Sequence, residues 1–233
     1  MKRLVVADGT LEALKWFGLI AMTGDHIDKY LCNGTVNVLF DAGRLAMPIF
    51  VFVLAYNLAR PNTLERGVYG RTTRRLAITG LCATPAFVAL GGLWHGWWPA
   101  NILFSLLVLT ATLYYLDQGT VLSYCLAGVV CVLGGALVEF CWPGIALGVG
   151  VWWYCRRPGW MPAGLAVCAL AALWGVNGNW WAMAALPIVL AASRVDFRVS
   201  RLRWAFYFYY PLHLAALWMI RIPMRQAGYL FFT

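Results

Sequence analysis

Few residues in this sequence could do chemistry, and most of them stand inside apolar runs. The first run carries Lys15, Asp25, His26, Asp28 and Lys29, and the second carries Asp41, Arg44 and Asn57. A later run opens with Asn101, and the last holds Phe206-Tyr207-Phe208-Tyr209-Tyr210, then Pro211 and His213. Histidine titrates near neutrality, so His26 can take and return a proton. A carboxylate beside it can fix its tautomer. Adjacent helical residues point about 100° apart, so Asp25 reaches His26 only through a bend or a water, and Asp41 is its substitute. Lys15 lies eleven positions before His26 and within about 20° of it, on one face with Met22. Asp41 and Arg44 are three apart and so neighbours on a helix. Arg44 pairs with Asp41 or Asp25 to make its burial tolerable, or belongs to a site. Asp28, Lys29 and His95 read as interfacial residues.

The elements that must position these groups can be inferred from composition. Of 233 residues, 62% are hydrophobic and 12% charged, with a mean hydropathy of +0.71. A soluble domain is about a quarter charged, so half that charge cannot coat a globule of this size. The expected class is an all-α integral membrane protein, a polytopic bundle of about nine transmembrane helices, with backbone polar groups satisfied inside helices. One membrane domain over 1–233 is expected, because no segment reads as a separate soluble unit. Thirteen Trp and eleven Tyr suit two interfacial belts. The net charge of +9 does not indicate nucleic-acid binding, since the basic residues sit in short loops between apolar runs. Seven cysteines, odd in number and without CxxC pairing, indicate neither a disulfide framework nor a metal site. Lys2 and Arg3 precede the first run, but Asp8 and Glu12 break up its start, so a retained first helix is expected rather than a removed signal.

The runs lie at about 10–31, 38–59, 74–93, 99–117, 120–138, 140–155, 161–176, 179–193 and 203–221. With the N-terminus cytoplasmic, thirteen of eighteen basic residues fall on the cytoplasmic side. These are Lys2, Arg3, Arg60, Arg66, Arg71, Arg74, Arg75, Arg156, Arg157, Arg194, Arg198, Arg201 and Arg203. Lys29, Arg221 and Arg225 fall on the other side. In that arrangement Asp25, His26, Arg44, Asn101 and His213, from four different helices, reach a similar depth near the outer face. Such convergence predicts a polar cavity there. Ionisable groups at membrane depth are costly and mark functional sites by default.

Several stretches carry a resemblance. Met22-Thr23-Gly24-Asp25-His26-Ile27 and Gly43-Arg44-Leu45-Ala46-Met47-Pro48-Ile49-Phe50-Val51-Phe52 resemble the start of the TraX family of conjugative pilin acetylases. Asn101-Ile102-Leu103-Phe104-Ser105-Leu106 and Tyr210-Pro211-Leu212-His213-Leu214 are similar to its later motifs. The resemblance implies a multi-pass enzyme of the bacterial inner membrane, with lipids and conjugative pilin as partners. It would move acetyl from acetyl-coenzyme A to the N-terminal amine of processed pilin. It implies His26 as general base, Asp25 as its orienting group and His213 as second base or relay. Arg44 and Asn101 would stabilise the oxyanion, with Asp41, Asn57 and Tyr210 also on the substrate side. Lys15, Arg71, Arg74 and Arg75 would hold the phosphates of coenzyme A, although no glycine-rich phosphate loop accompanies them. Pilin cyclisation, a non-catalytic pilin chaperone and a transporter using the same cavity are the alternatives.

Overall fold

Each apolar run folds as one helical passage, and the reasons are local. The computed structural model describes residues 1, 4–202 and 204–229; Lys2, Arg3 and Arg203 lie outside them. Among the described residues there are helices and turns but no strand. The first passage is α1 (Asp8–Leu31), and the second is broken into α2 (Asn37–Gly43) and α3 (Ala46–Leu58). Pro48 sits in the first turn of α3 and has no amide to offer the Arg44 carbonyl. The break therefore falls ahead of it, where the Arg44 and Leu45 amides close tight turns onto Asp41 and Ala42 at 3.2 and 3.1 Å. Next come α4 (Val68–Ala89) and α5 (Ile102–Gln118). The fifth passage joins α6 (Val121–Val129) through a π-helical turn (Val130–Gly134) to α7 (Gly135–Leu137). A Thr120–Ser123 capping box starts it.

The remaining passages are α8 (Cys141–Arg156), α9 (Trp160–Ala172) with α10 (Trp174–Asn177), a 3₁₀ turn (Trp181–Ala184) leading into α11 (Ala185–Ala192), and α12 (Ala205–Gln226). Successive passages alternate in direction, as contacts at the two ends demonstrate. At one end Arg60 pairs with Asp8, Arg156 with Asp117, and the Thr10 hydroxyl donates to the Val195 carbonyl at 2.6 Å. Nearly all the loop arginines gather at this basic end. The opposite end collects the C-termini of α1, α4, α10 and α12 and the N-terminus of α5.

The core runs between α3, α5, α8 and α12, where Leu58, Leu109, Leu113, Ile145 and Leu214 are fully buried. Close approach is set by glycine on α8. A Cβ at Gly148 would lie 2.3 Å from a Leu109 methyl, and one at Gly144 would lie 2.3 Å from the Met47 methyl. These two glycines are four apart, the small-residue spacing that lets helices pack without a hydrophobic drive. The exterior is apolar as well: Leu81 on α4, Val121 and Leu122 on α6, and Leu212 and Met219 on α12 are among the exposed side chains. By length and composition, two described helical stretches can cross a membrane, Asn37–Leu58 and Trp160–Asn177.

Candidate functional site

The site begins where α1 and α12, running parallel, meet along one seam. Trp16 packs on Phe206 with centroids 5.1 Å apart, the Thr23 and Tyr209 hydroxyls are 2.8 Å apart, and His26 Nδ1 lies 2.7 Å from His213 Nε2. The 3–4 spacing of 206, 209 and 213 on one helix and of 23 and 26 on the other is the spacing of a single helical face. The two imidazoles are within 3° of parallel, so the hydrogen bond lies nearly in both ring planes.

Their tautomers are set by the next partner. His213 Nδ1 is 3.0 Å from the Tyr209 carbonyl. A carbonyl only accepts, so His213 Nδ1 carries the hydrogen, and in the neutral ring Nε2 is left with a lone pair. His26 Nδ1 must then be the donor to His213. His26 Nε2 is consequently the unprotonated nitrogen. His26 also lines a cavity of about 600 Å³ at the end of the bundle away from the basic loops, while His213 is buried behind it. The chain thus presents one imidazole lone pair with a fixed tautomer, the arrangement of a general base.

Asp25 does not orient His26, contrary to the sequence expectation. It forms an ion pair with Arg44, across the contact between α1 and the α2–α3 break. The physical reason is Gly43: a Cβ there would lie 2.3 Å from Asp25 Cβ, so only glycine lets the two backbones approach this far. Arg44 also donates from Nε to the Phe40 carbonyl at 3.2 Å and stacks on the Phe40 ring at 4.2 Å. That leaves part of its guanidinium toward the cavity, which both Asp25 and Arg44 line.

Other walls come from residues with less conspicuous sequence signals. Asp28 is buried, and its carboxylate accepts from the Val36 amide at 2.7 Å, holding the α1–α2 turn rather than facing an interface. Tyr30 and Tyr210 are buried walls of the cavity. Arg221 reaches in from α12 and donates to the Leu90 carbonyl at 2.9 Å. Glu139 lines the cavity from the turn before α8. Its amide is tied to the Ala100 carbonyl at 3.1 Å, and the Ala100 amide is tied to Leu137 at 2.9 Å. Burial pushes the Glu139 carboxyl above the usual carboxylate range, against the pull of Lys29 and Arg44. The sequence held a signal for it: Glu139 is the sole acid between Asp117 and Asp196.

Several expected residues lie elsewhere. Asn101 is buried, but its amide is consumed in capping α5 and clamping it to α4. Its Oδ1 accepts from the Leu103 amide at 3.1 Å, and its Nδ2 donates to the Gly80 carbonyl at 3.1 Å and reaches the Thr84 hydroxyl at 3.3 Å. Asn101→Ala is therefore expected to cost about 1–2 kcal/mol of stability as a lost cap, which thermal unfolding checks. Asp41 receives the Asn179 amide at 3.3 Å, and Asn57 donates to the Val53 carbonyl of its own helix at 2.8 Å. Neither lines the cavity.

The four cations expected to hold a nucleotide are at the basic end. Lys15 is 2.6 Å from Glu12 and lies on the Phe206 ring at 4.4 Å, and Arg75 stacks on Trp204 at 4.8 Å. Arg71 and Arg74 are exposed on the first turns of α4. Eleven residues separate Lys15 from His26, about 16 Å along α1.

No curated protein and no solved structure matches the chain significantly. A family model does. The model described as TraX protein matches residues 10–221, a span that includes every wall of the cavity, and the chain belongs to the TraX family.

Proposed function

We propose that this chain is a multi-pass acyltransferase of the bacterial inner membrane that acetylates the N-terminal amine of conjugative pilin. TraX membership links it to the processing of conjugative pilin, and its motifs resemble those of the TrbP-type proteins of IncP plasmid transfer systems. Membrane residence is supported by the alternating passages, by the apolar exterior, and by exposed tryptophans at both ends. Trp94, Trp97, Trp180 and Trp181 crown the cavity end, and Trp160 and Trp204 the basic end. Recovery of the protein from cells lysed without detergent, in the soluble fraction, would sink this part.

The observation that carries the activity is the free Nε2 lone pair of His26 inside the cavity. The acceptor amine has an ordinary pKa of about 7.7–8.0, so a neighbouring imidazole can take its proton. Attack forms a bond from the amine nitrogen to the thioester carbonyl carbon, and Arg44 stabilises the oxyanion. His26 first releases the ammonium proton to solvent and then takes the second proton from the nitrogen as the new bond forms. Collapse breaks the carbon–sulfur bond, and that second proton passes from His26 to the departing thiolate. His213 accepts the Nδ1–H of His26 throughout and spreads the charge of the imidazolium. Arg71 and Arg74 are the cations left to meet the phosphates of coenzyme A at the basic end.

Intact mass of pilin from cells with and without this protein tests the reading. A pilin heavier by one acetyl group only when the protein is present is the expected result. Equal masses would remove the acetylase, and a mass lower by one water would transfer the same base to cyclisation.

A further inference from the structure

The acyl-transfer scheme leaves one cavity carboxylate without a task. Asp25 is spent on Arg44 and Asp28 on the Val36 amide. Glu139 forms no ion pair with any described residue, although Lys29, Arg44 and Arg221 line the same cavity. Its backbone is pinned to Ala100, so the side chain cannot drift out with a mobile loop. It stands beside the Ile102 amide, which can occupy one of its acceptor positions. A carboxylate has about four, so several acceptor positions remain on this cavity-lining side chain. Tyr30 and Tyr210 lie close enough to interact electrostatically with it, and Phe140, the next residue, lines the same cavity. The Tyr30 ring already faces cations, with Lys29 Nζ at 5.2 Å and the Arg221 guanidinium carbon at 6.0 Å. A lone carboxylate with aromatic faces nearby is the recognition chemistry of an ammonium group.

We infer that Glu139, with Tyr30 and Tyr210, forms the subsite that binds the acceptor's protonated amine before His26 deprotonates it. This rests on the acyl-transfer reading for the identity of the acceptor, but amine recognition is measurable without turnover. The subsite also favours release of the product. The product amide carries no charge, so it loses the pairing with Glu139 and is released.

The test is binding of two synthetic peptides to the purified detergent-solubilised protein. Both carry the acceptor's N-terminal sequence, one with a free amine and the other N-acetylated. The parent should bind the free amine at least about tenfold tighter, the scale of a charge-assisted hydrogen bond. Glu139→Gln keeps an oxygen for the Ile102 amide and removes the charge, so it should bind the two peptides equally. Its acceptor KM should rise about tenfold while the donor KM and the unfolding temperature hold. Glu139→Asp should retain part of the preference. Equal binding of both peptides by the parent, or an undiminished preference in Glu139→Gln, overturns the subsite. The mass assay fails or succeeds separately. A preference for the free amine without acetylated pilin would leave the subsite standing and remove the acetylase.

Discussion

His26→Ala is expected to lower acetyl transfer by about 10²–10⁴-fold, the range for removing a positioned general base. The protein should still reach the membrane. His26 packs on α12 chiefly through one hydrogen bond, and the remaining seam of Trp16, Thr23, Phe206 and Tyr209 persists. The measurement is pilin acetylation at matched protein levels, with single-turnover thioester cleavage as a second readout. Unchanged activity would end the base assignment. It would also favour a chaperone role, in which the protein matters but this side chain does not.

The His213 variants sharpen the test. His213→Ala leaves Nδ1–H of His26 unpaired and frees the ring to flip or change tautomer. It should reduce the rate less than His26→Ala but displace the pH–rate profile, because the imidazolium loses its acceptor. His213→Gln can supply a carbonyl oxygen to Nδ1–H and should restore part of the rate. A second independent base at position 213 predicts otherwise: the single variants would each retain substantial activity and only the double variant would lose it.

Arg44→Ala is expected to have the second largest effect, with two separable parts. Removing an oxyanion donor costs about 10²–10³ in kcat. Removing one partner of a largely buried ion pair also leaves Asp25 unmatched, a loss of about 3–5 kcal/mol when burial is complete and less here, where both side chains keep some exposure. The double variant Asp25→Asn with Arg44→Gln should recover stability without recovering rate. Unfolding in detergent reports the first quantity, and kcat on the folded fraction reports the second. A double variant that regains both would make the pair purely structural. Arg44→Lys keeps the charge but loses the geometry that reaches Asp25, the Phe40 carbonyl and the cavity together, so it should not rescue.

Legibility in the sequence differs between levels of structure. The helical passages are readable because apolar run length and loop charge are local properties, and each run became one passage. Even the break in the second passage is signalled by Pro48, although it falls earlier because a proline disables the bond of the preceding turn. The polar residues at the ends of different runs also announce a cavity. Of the five residues expected to converge, Asp25, His26 and Arg44 line it, and His213 stands behind His26. Asn101 shows where such reasoning stops: its depth is as expected, but depth does not say which way a side chain points, and its amide is consumed by α4 and α5.

What the sequence determined by itself is the periodicity and burial of helices, and with them which residues sit near which end. Those depend on neighbours within a few positions. Only the tertiary structure decided the partners. Residues 187 positions apart make the His26–His213 pair, and an ion pair across the α1–α2 packing takes Asp25 away from the imidazole. Glu139 enters the cavity because its turn is pinned to the segment before α5. Hydrogen-bond pairing depends on distances of a few ångströms between separate helices, and those are fixed by packing contacts such as Gly43 on Asp25, which no local pattern encodes.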